Sequence, residues 1–184
     1  IHMTADRDLP SQQMIAYELG YRGKPLKNLE TSVDLYWQEY DNIKSIIMGL
    51  GPPGLIRANV QDDGNLSLYG VEFDAQYRVN DRLKLLGNYT YQQCNSRLRN
   101  PFHFTDCIEP PAHKFMVGTI FDATDQLHLS AYLYYVSPVT APDSMTMLFS
   151  QRIPQYFRLD LRAEYEFWKD RASVAVGVRN LLDP

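Results

Sequence analysis

The sequence contains no long run of apolar residues. No stretch approaches the roughly 18 consecutive apolar residues that a membrane-spanning helix needs, so such a helix is excluded. Membrane-spanning strands are not excluded, because alternating polar and apolar residues cancel in a hydropathy average. Basic residues do not dominate either: 18 Lys and Arg stand against 22 Asp and Glu, which gives a net charge of −4. Nucleic-acid binding needs a clustered basic face and is therefore not expected.

Cysteine and histidine are scarce, which leaves little material for a metal or catalytic site. The chain has 2 Cys and 4 His. His103 and Cys107 share one loop, but no histidine stands at a metal-ligand spacing from the cysteines, so we expect no metal and no cofactor. His128 and Ser130 come nearest to a base and a nucleophile. Same-face neighbours on a strand are common by chance, and we predict that the protein is not an enzyme.

The two cysteines, Cys94 and Cys107, flank a polar loop. In an oxidising compartment they would close that loop as a disulfide, and in a reducing compartment they would stay free thiols. We expect the disulfide if the protein is exported.

What the sequence does contain is regular alternation, most clearly between residues 156 and 182. The apolar positions in its first half are Phe157, Leu159, Leu161, Ala163, Tyr165 and Phe167. The charged positions between them are Arg158, Asp160, Arg162, Glu164 and Glu166. A period of two indicates a strand with one apolar and one polar face. A second alternating run begins at Ala172 after a short polar turn, so the stretch is a predicted β-hairpin.

The rest of the chain repeats this plan. The predicted strands are residues 15–22, 29–40 with an irregular extension to 47, 69–79, 83–92, 113–122, 127–136, 156–168 and 172–179. Short turns alternate with three long linkers, residues 48–65, 95–112 and 137–154. The Pro and Gly content of the first linker predicts that no regular pairing occurs there. The second holds Pro110 and Pro111, and the third is rich in Pro, Ser and Thr. The pattern indicates an all-β, antiparallel, up-and-down barrel with about eight strands present.

Alternation alone does not say which face of a barrel is inside. A soluble barrel has an apolar interior, whereas a membrane barrel has an apolar outer band and a polar lumen. The aromatic residues, which include 13 Tyr, favour the membrane barrel because they fall at the two ends of the strands. Those near the long linkers are Trp37, Tyr89, Tyr91, Tyr135 and Phe157. Those near the short turns are Tyr21, Tyr77, Tyr165, Phe167 and Trp168.

The alternative is a soluble β-barrel or sandwich that binds a small apolar ligand. Its dry interior would be lined by residues such as Val71, Phe73, Leu159 and Leu161. The membrane barrel instead predicts that these side chains face lipid.

The membrane barrel also predicts a set of lumen-facing charges. They are Glu72, Asp74, Arg78, Arg158, Asp160, Arg162, Glu164 and Glu166. We expect them to pair across strands, while the three arginines are also candidates for lining a path for anionic ligands. In the third long linker, Met145, Met147 and Phe149 are apolar where water is expected. They are candidates for ligand contact or for packing the loop.

Several segments resemble successive strands of TonB-dependent outer-membrane receptors. They are YELGYRG at 17–23, VDLY at 33–36, YDNI at 40–43, YGVEFDA at 69–75 and GVRNLLDP at 177–184. Each motif is weak alone. They come in the order and spacing of that family, and together they cover the chain from about residue 14 to its end.

This resemblance implies a 22-stranded barrel plugged by a separate N-terminal domain, in the outer membrane of a Gram-negative bacterium. It implies active uptake of a scarce ligand, often a ferric siderophore, cobalamin or a glycan, driven through contact with TonB. Residues 1–3 look like a cloning scar, and residues 4–184 are expected to be the C-terminal part of the barrel. The plug, the TonB box, the first half of the barrel and the final strand would then lie outside this sequence. Its expected partners are outer-membrane lipid and those missing parts.

Overall fold

The structure is a computed structural model of the chain. It describes residues 2–5, 8–50, 56–98, 103–105, 110–142, 150–169 and 171–182. Within these ranges, no helix is long and apolar enough to cross a membrane.

The described residues form strands joined by turns and loops. The strands are β1 (His2–Ala5), β2 (Gln13–Leu26), β3 (Leu29–Leu50), β4 (Ile56–Arg78), β5 (Leu83–Leu98), β6 (His103–Thr105), β7 (His113–Asp122), β8 (Leu127–Val136), β9 (Val139–Pro142), β10 (Ser150–Ile153), β11 (Tyr156–Trp168) and β12 (Ala172–Val178).

The main sheet confirms the predicted antiparallel meander. Its strand order is β12-β11-β8-β7-β5-β4-β3-β2, and every neighbouring pair is antiparallel. The bounds of β7, β8 and β11 agree with the prediction at both ends. Two short strands lie off this path: β1 pairs with β4 in parallel, and β6 pairs with β3. Closure into a barrel stays a prediction.

Polar side chains and backbone groups close the short turns. The Asn28 amide donates to the carbonyl of Arg78 at 2.8 Å, while the Arg78 N–H donates to the Asn28 carbonyl at 2.8 Å. In the β7–β8 turn, Thr124 Oγ1 accepts from the N–H of Leu127 at 3.0 Å. Asn and Thr suit such turns because their side chains replace missing backbone partners.

The prediction of irregular long linkers is wrong for residues 56–65. β3 and β4 stay paired from Leu29 opposite Tyr77 to Leu50 opposite Ile56. The register shifts near Asn42 (φ 58°) and Gly64 (φ 136°), where bulges absorb the irregular sequence and pairing then resumes. The Gly and Pro residues at 51–54 that suggested an irregular linker lie outside the described residues.

The other two long linkers are also partly ordered into strands. β5 continues to Leu98, and β6 lies in the middle of the 95–112 linker. β9 and β10 form a two-stranded hairpin with Val139 opposite Ile153. Backbone pairing needs no alternation, so composition did not reveal these extensions.

The register places the apolar rows of all eight strands of the main sheet on one face. One row crosses seven strands through Tyr21, Val33, Phe73, Tyr89, Phe115, Tyr135 and Phe157. These side chains are not packed into a core: Leu19 is 70% exposed and Val176 is 68% exposed. Among the described residues, Ala58 and Leu66 are the hydrophobic side chains that are buried.

Candidate functional site

The polar face of the sheet carries the charges that the sequence singled out. Glu72, Asp74 and Arg78 lie on β4, and the other five lie on β11, with three strands between β4 and β11 in the sheet order. All of them alternate with the apolar residues of the opposite face. That this face lines a lumen stays a prediction.

The arginines of β11 pair along their own strand. Arg158 lies 3.1 Å from Asp160, and Arg162 lies 2.7 Å from Glu164. Glu164 also accepts a hydrogen bond from Ser173 Oγ on β12 at 2.8 Å. For these two arginines the carboxylate partner is thus two residues along β11, whereas we expected a partner on a neighbouring strand.

Asp160 has a second role at the end of the last hairpin. Its side chain is 17% exposed, and it accepts the backbone N–H of Asn180 at 3.1 Å. Asn180 has a positive φ of 58°, a conformation that Asn tolerates better than most residues. The carboxylate therefore holds the chain as it leaves β12.

The acidic residues of β4 lie in a more acidic part of the polar face than those of β11. Glu72 stands opposite Asp34 on β3, and Asp74 stands between Ser32 and Asn88. The β3–β4 side of the polar face is thus acidic, while the β11 side alternates in sign.

An aromatic belt runs across the apolar face at the long-linker end. Trp37 stacks on Tyr69 with ring centroids 5.3 Å apart. The ring centroid of Tyr135 lies 4.9 Å from that of Phe157 and 5.1 Å from that of Phe115. The polar tips of the belt are paired. Trp37 Nε1 donates to Glu39 at 3.1 Å, and the Tyr69 hydroxyl donates to Gln93 Oε1 at 2.8 Å.

A second group of aromatics lies at the short-turn end of the same face. Tyr165, Phe167 and Trp168 are 46%, 59% and 58% exposed. The Arg171 guanidinium lies 5.1 Å from the centre of the Trp168 ring. Two aromatic levels with aliphatic residues between them are the pattern that membrane interfaces favour.

Comparison with protein families supplies the class of this molecule. A family described as TonB dependent receptor-like, beta-barrel matches residues 3–181. The chain belongs to this family. A comparison with curated proteins found no match.

Solved TonB-dependent receptors and transporters share the fold at low identity. A mutant ferric enterobactin receptor (PfeA) of Pseudomonas aeruginosa is 18% identical, with a TM-score of 0.69, over 94% of this chain and 26% of that chain. The FrpB iron transporter of Neisseria meningitidis is 12% identical, with a TM-score of 0.75, over 99% and 29%. The copper transporter OprC is 13% identical, with a TM-score of 0.71, over 97% and 27%. The chain therefore spans between a quarter and a third of the length of these structures.

Family membership bears on the enzyme and metal candidates, because this is a family of receptors. His128 Nδ1 lies 2.6 Å from Asp122 Oδ1 across the β7–β8 hairpin, so its geometry is that of an ion pair. The hydrogen bond at His128 Nδ1 is made with Asp122 and not with Ser130. Among the described residues, no group of three or more His, Cys, Asp or Glu is placed to hold a metal.

Other candidate residues of this receptor chain lie outside the described residues. They are Cys107, Met145, Met147 and Phe149. Cys94 is described and stands on β5 opposite Leu68. The disulfide and the loop contacts therefore stay predictions.

Sequence reasoning missed two polar residues, Gln92 and Ser137. They are 8% and 7% exposed and hydrogen-bond the chain as it enters β7. Gln92 looked like any other polar residue of an alternating strand, and Ser137 lay at the start of a linker. Nothing in one sequence distinguishes them, since their hydrogen bonds to Pro111 and His113 depend on how that segment meets the sheet.

Proposed function

We propose that the chain forms part of the wall and extracellular mouth of a receptor in the outer membrane of a Gram-negative bacterium. The receptor would take up a scarce ligand such as a ferric siderophore. One observation carries this proposal: the apolar rows of eight neighbouring strands form one continuous exposed face, with charged residues behind it. Residues 4–184 would be the C-terminal part of the barrel. The plug domain, the remaining strands and the contact with TonB belong to the rest of the protein.

Lipid is the partner that suits the apolar face. Burying one large apolar side chain stabilises a protein by about 1.5–3 kcal/mol. A face that carries Tyr17 (61% exposed) and Leu19 (70%) is therefore stabilised by an apolar environment over it. Soluble monomers rarely expose apolar patches of this extent. Aromatic residues at two levels match a bilayer's two interfaces.

The soluble barrel is not favoured. It requires the apolar side chains to face a dry interior, but Phe73 is 41% exposed and Leu161 is 38% exposed. Within the described residues, each strand of the main sheet pairs side by side with its neighbours in that sheet.

The membrane proposal is tested by the depth of the two tryptophans. Trp37 lies at the long-linker end of the apolar face and Trp168 at the short-turn end. In the intact protein, every tryptophan outside this sequence would first be replaced by phenylalanine. Trp37→Phe and Trp168→Phe variants of that protein would then be placed in vesicles whose lipids carry bromine at different depths. Each remaining tryptophan should be quenched by shallow bromines and weakly by bromines at the bilayer centre.

A matched control places the only tryptophan at an exposed site on the polar face, by Gln76→Trp in the Trp-free background. This tryptophan should be insensitive to bromine at every depth. Equal insensitivity of Trp37 and Trp168 would exclude the membrane proposal.

The ligand needs a separate experiment, because proteins of this fold are named as receptors or transporters for different cargoes. The intact protein would be expressed in a Gram-negative host that lacks its own ferric-siderophore receptors, and uptake of labelled ferric siderophores and of copper compared. We expect TonB-dependent uptake of a ferric siderophore, with Met145, Met147 and Phe149 as candidate contacts. Copper uptake alone would reassign the cargo while leaving the membrane proposal intact.

A further inference from the structure

Two buried polar side chains hold the same short segment. Of the described residues, Gln92 (8% exposed) and Ser137 (7%) are the polar ones that are buried. Both hydrogen-bond the backbone of residues 110–113, through which the loop between β5 and β7 returns to the sheet. We name this segment the arm.

Gln92 makes two hydrogen bonds to the arm. Its side-chain Nε2 donates to the carbonyl of Pro111 at 3.1 Å, and its backbone N–H donates to the carbonyl of Ala112 at 3.0 Å. Proline has no backbone N–H, so the carbonyl is the only backbone polar group of Pro111. The buried Gln92 side chain on β5 thus hydrogen-bonds the only backbone polar group of Pro111 and holds this residue in place.

The orientation of the Gln92 amide is itself set by β3. The Tyr36 hydroxyl donates to Gln92 Oε1 at 3.2 Å, which directs Nε2 towards Pro111. Tyr36 reaches Gln92 across Gly70 of the intervening strand β4. A Cβ at Gly70 would lie 2.5 Å from the tyrosine hydroxyl oxygen, so glycine leaves the space for this contact.

The other end of the arm is held by Ser137, which directly follows β8, and by the aromatic belt. The His113 N–H donates to Ser137 Oγ at 3.0 Å, and the Ser137 N–H donates to the His113 carbonyl at 2.9 Å. On the apolar face, the His113 ring hydrogen-bonds the Tyr89 hydroxyl at 2.8 Å and lies 5.2 Å from the Tyr91 ring. The arm is therefore anchored from both faces of the sheet.

We propose that Gln92 is a positioning residue, which fixes the arm and with it the point where the β5–β7 loop leaves the sheet. Tyr36 acts through Gln92 by orienting its amide. The inference goes beyond the proposed function and holds for any ligand, because it concerns how the sheet sets this loop.

Gln92→Glu tests the proposal by changing one atom. At neutral pH the carboxylate still accepts from Tyr36 but has no hydrogen to donate to Pro111. Amide hydrogen exchange of the intact protein in detergent micelles should show protection factors at Gln92 and His113 reduced on the order of tenfold, the equivalent of one lost hydrogen bond. Below about pH 4 the protonated acid regains a donor, so protection at both amides should return.

Gln76→Glu is the matched control, since it makes the same change at an exposed site on the polar face of β4. It should leave the arm protected at both pH values. Protected amides in the β11–β12 ladder would show that Gln92→Glu remains folded. Unchanged protection at neutral pH, or protection that stays lost in acid, would overturn the assignment of Gln92.

Discussion

The alternation of polar and apolar residues spans the whole of hairpin β11–β12 but only part of hairpin β3–β4. The strands of β11–β12 match the alternating stretch of the sequence, and Leu161 opposite Val178 lies in its exposed apolar row. β3–β4 keeps the same alternation between Val33 and Trp37 but continues beyond Tyr40 through two register shifts to Leu50 opposite Ile56. Polar and apolar residues alternate only where the two faces of a strand have different surroundings. Outside such segments, the strands stay paired through backbone hydrogen bonds without any alternation in the sequence.

The largest expected effect comes from placing a charge in the apolar row of β11–β12. Val176 is 68% exposed on the apolar face, and Ala175 is its neighbour on the polar face. Val176→Arg should lower the free energy of unfolding by about 2–4 kcal/mol in a bilayer, because arginine is costly at its midplane. Denaturant titration of the intact protein in vesicles measures this.

Ala175→Arg controls for size and charge on the same strand, and it should change stability far less. Equal losses for the two variants would show that the two faces of β12 meet the same solvent, which would remove the basis for the comparison.

Gly64 separates the regular part of β3–β4 from its extension. Its φ of 136° lies in a region that other residues rarely adopt, so Gly64→Ala should introduce about 1–3 kcal/mol of strain. We expect amide protection to fall in residues 56–61 but to persist around Val71, since the two parts pair separately. Gly87→Ala is the control, because a Cβ added at Gly87 would lie 3.9 Å from the Met116 carbonyl oxygen, which is ordinary van der Waals contact. Loss of protection throughout β4 would mean that the hairpin is one cooperative unit.

Much of the main sheet was predictable from sequence, because each of its strands separates two unlike surroundings. The bounds of β7 and β8 followed from alternation such as that of Leu127, Leu129 and Ala131. The β3–β4 extension was not predictable, since its pairing depends on backbone hydrogen bonds and on bulges at Asn42 and Gly64.

The candidate site was predictable only as a pattern. Which residues share the polar face followed from parity along the strands. The ion-pair partner of Arg158 was not predictable, because local geometry decides whether a side chain pairs along its own strand or across to the next one. The hydrogen bond from the Gln92 side chain to the Pro111 carbonyl was not predictable either, because no spacing in the sequence encodes where residues 110–113 meet β5.

Two strand glycines extend the comparison from β11–β12 to the hairpin β7–β8. Gly118 in β7 is covered by the Tyr132 ring, and an added Cβ would lie 2.6 Å from that ring. Gly118→Ala should therefore destabilise by about 1–2 kcal/mol through overpacking. At Gly177 in β12 the nearest atom is the Leu161 carbonyl oxygen at 3.7 Å, so Gly177→Ala should stabilise by about 0.4–1 kcal/mol.

Paired thermal and denaturant unfolding of the two alanine variants would measure the difference. The same sign for both would contradict the view that aromatic cover, rather than strand position, determines where glycine is required.

The smallest effect expected is at Arg158, whose guanidinium lies 4.2 Å from the centre of the Tyr134 ring and 3.1 Å from Asp160. Its side chain is 43% exposed, so solvent screens the ion pair. Arg158→Met should lower stability by about 0.5–1 kcal/mol, mainly by removing the contact with the ring. Arg158→Lys keeps the charge but loses the planar stacking, so it should recover only part of that stability. A large fall in ligand affinity with no change in unfolding would instead assign Arg158 to an anion path. The β11 side of the polar face would then bind ligand rather than only support the wall.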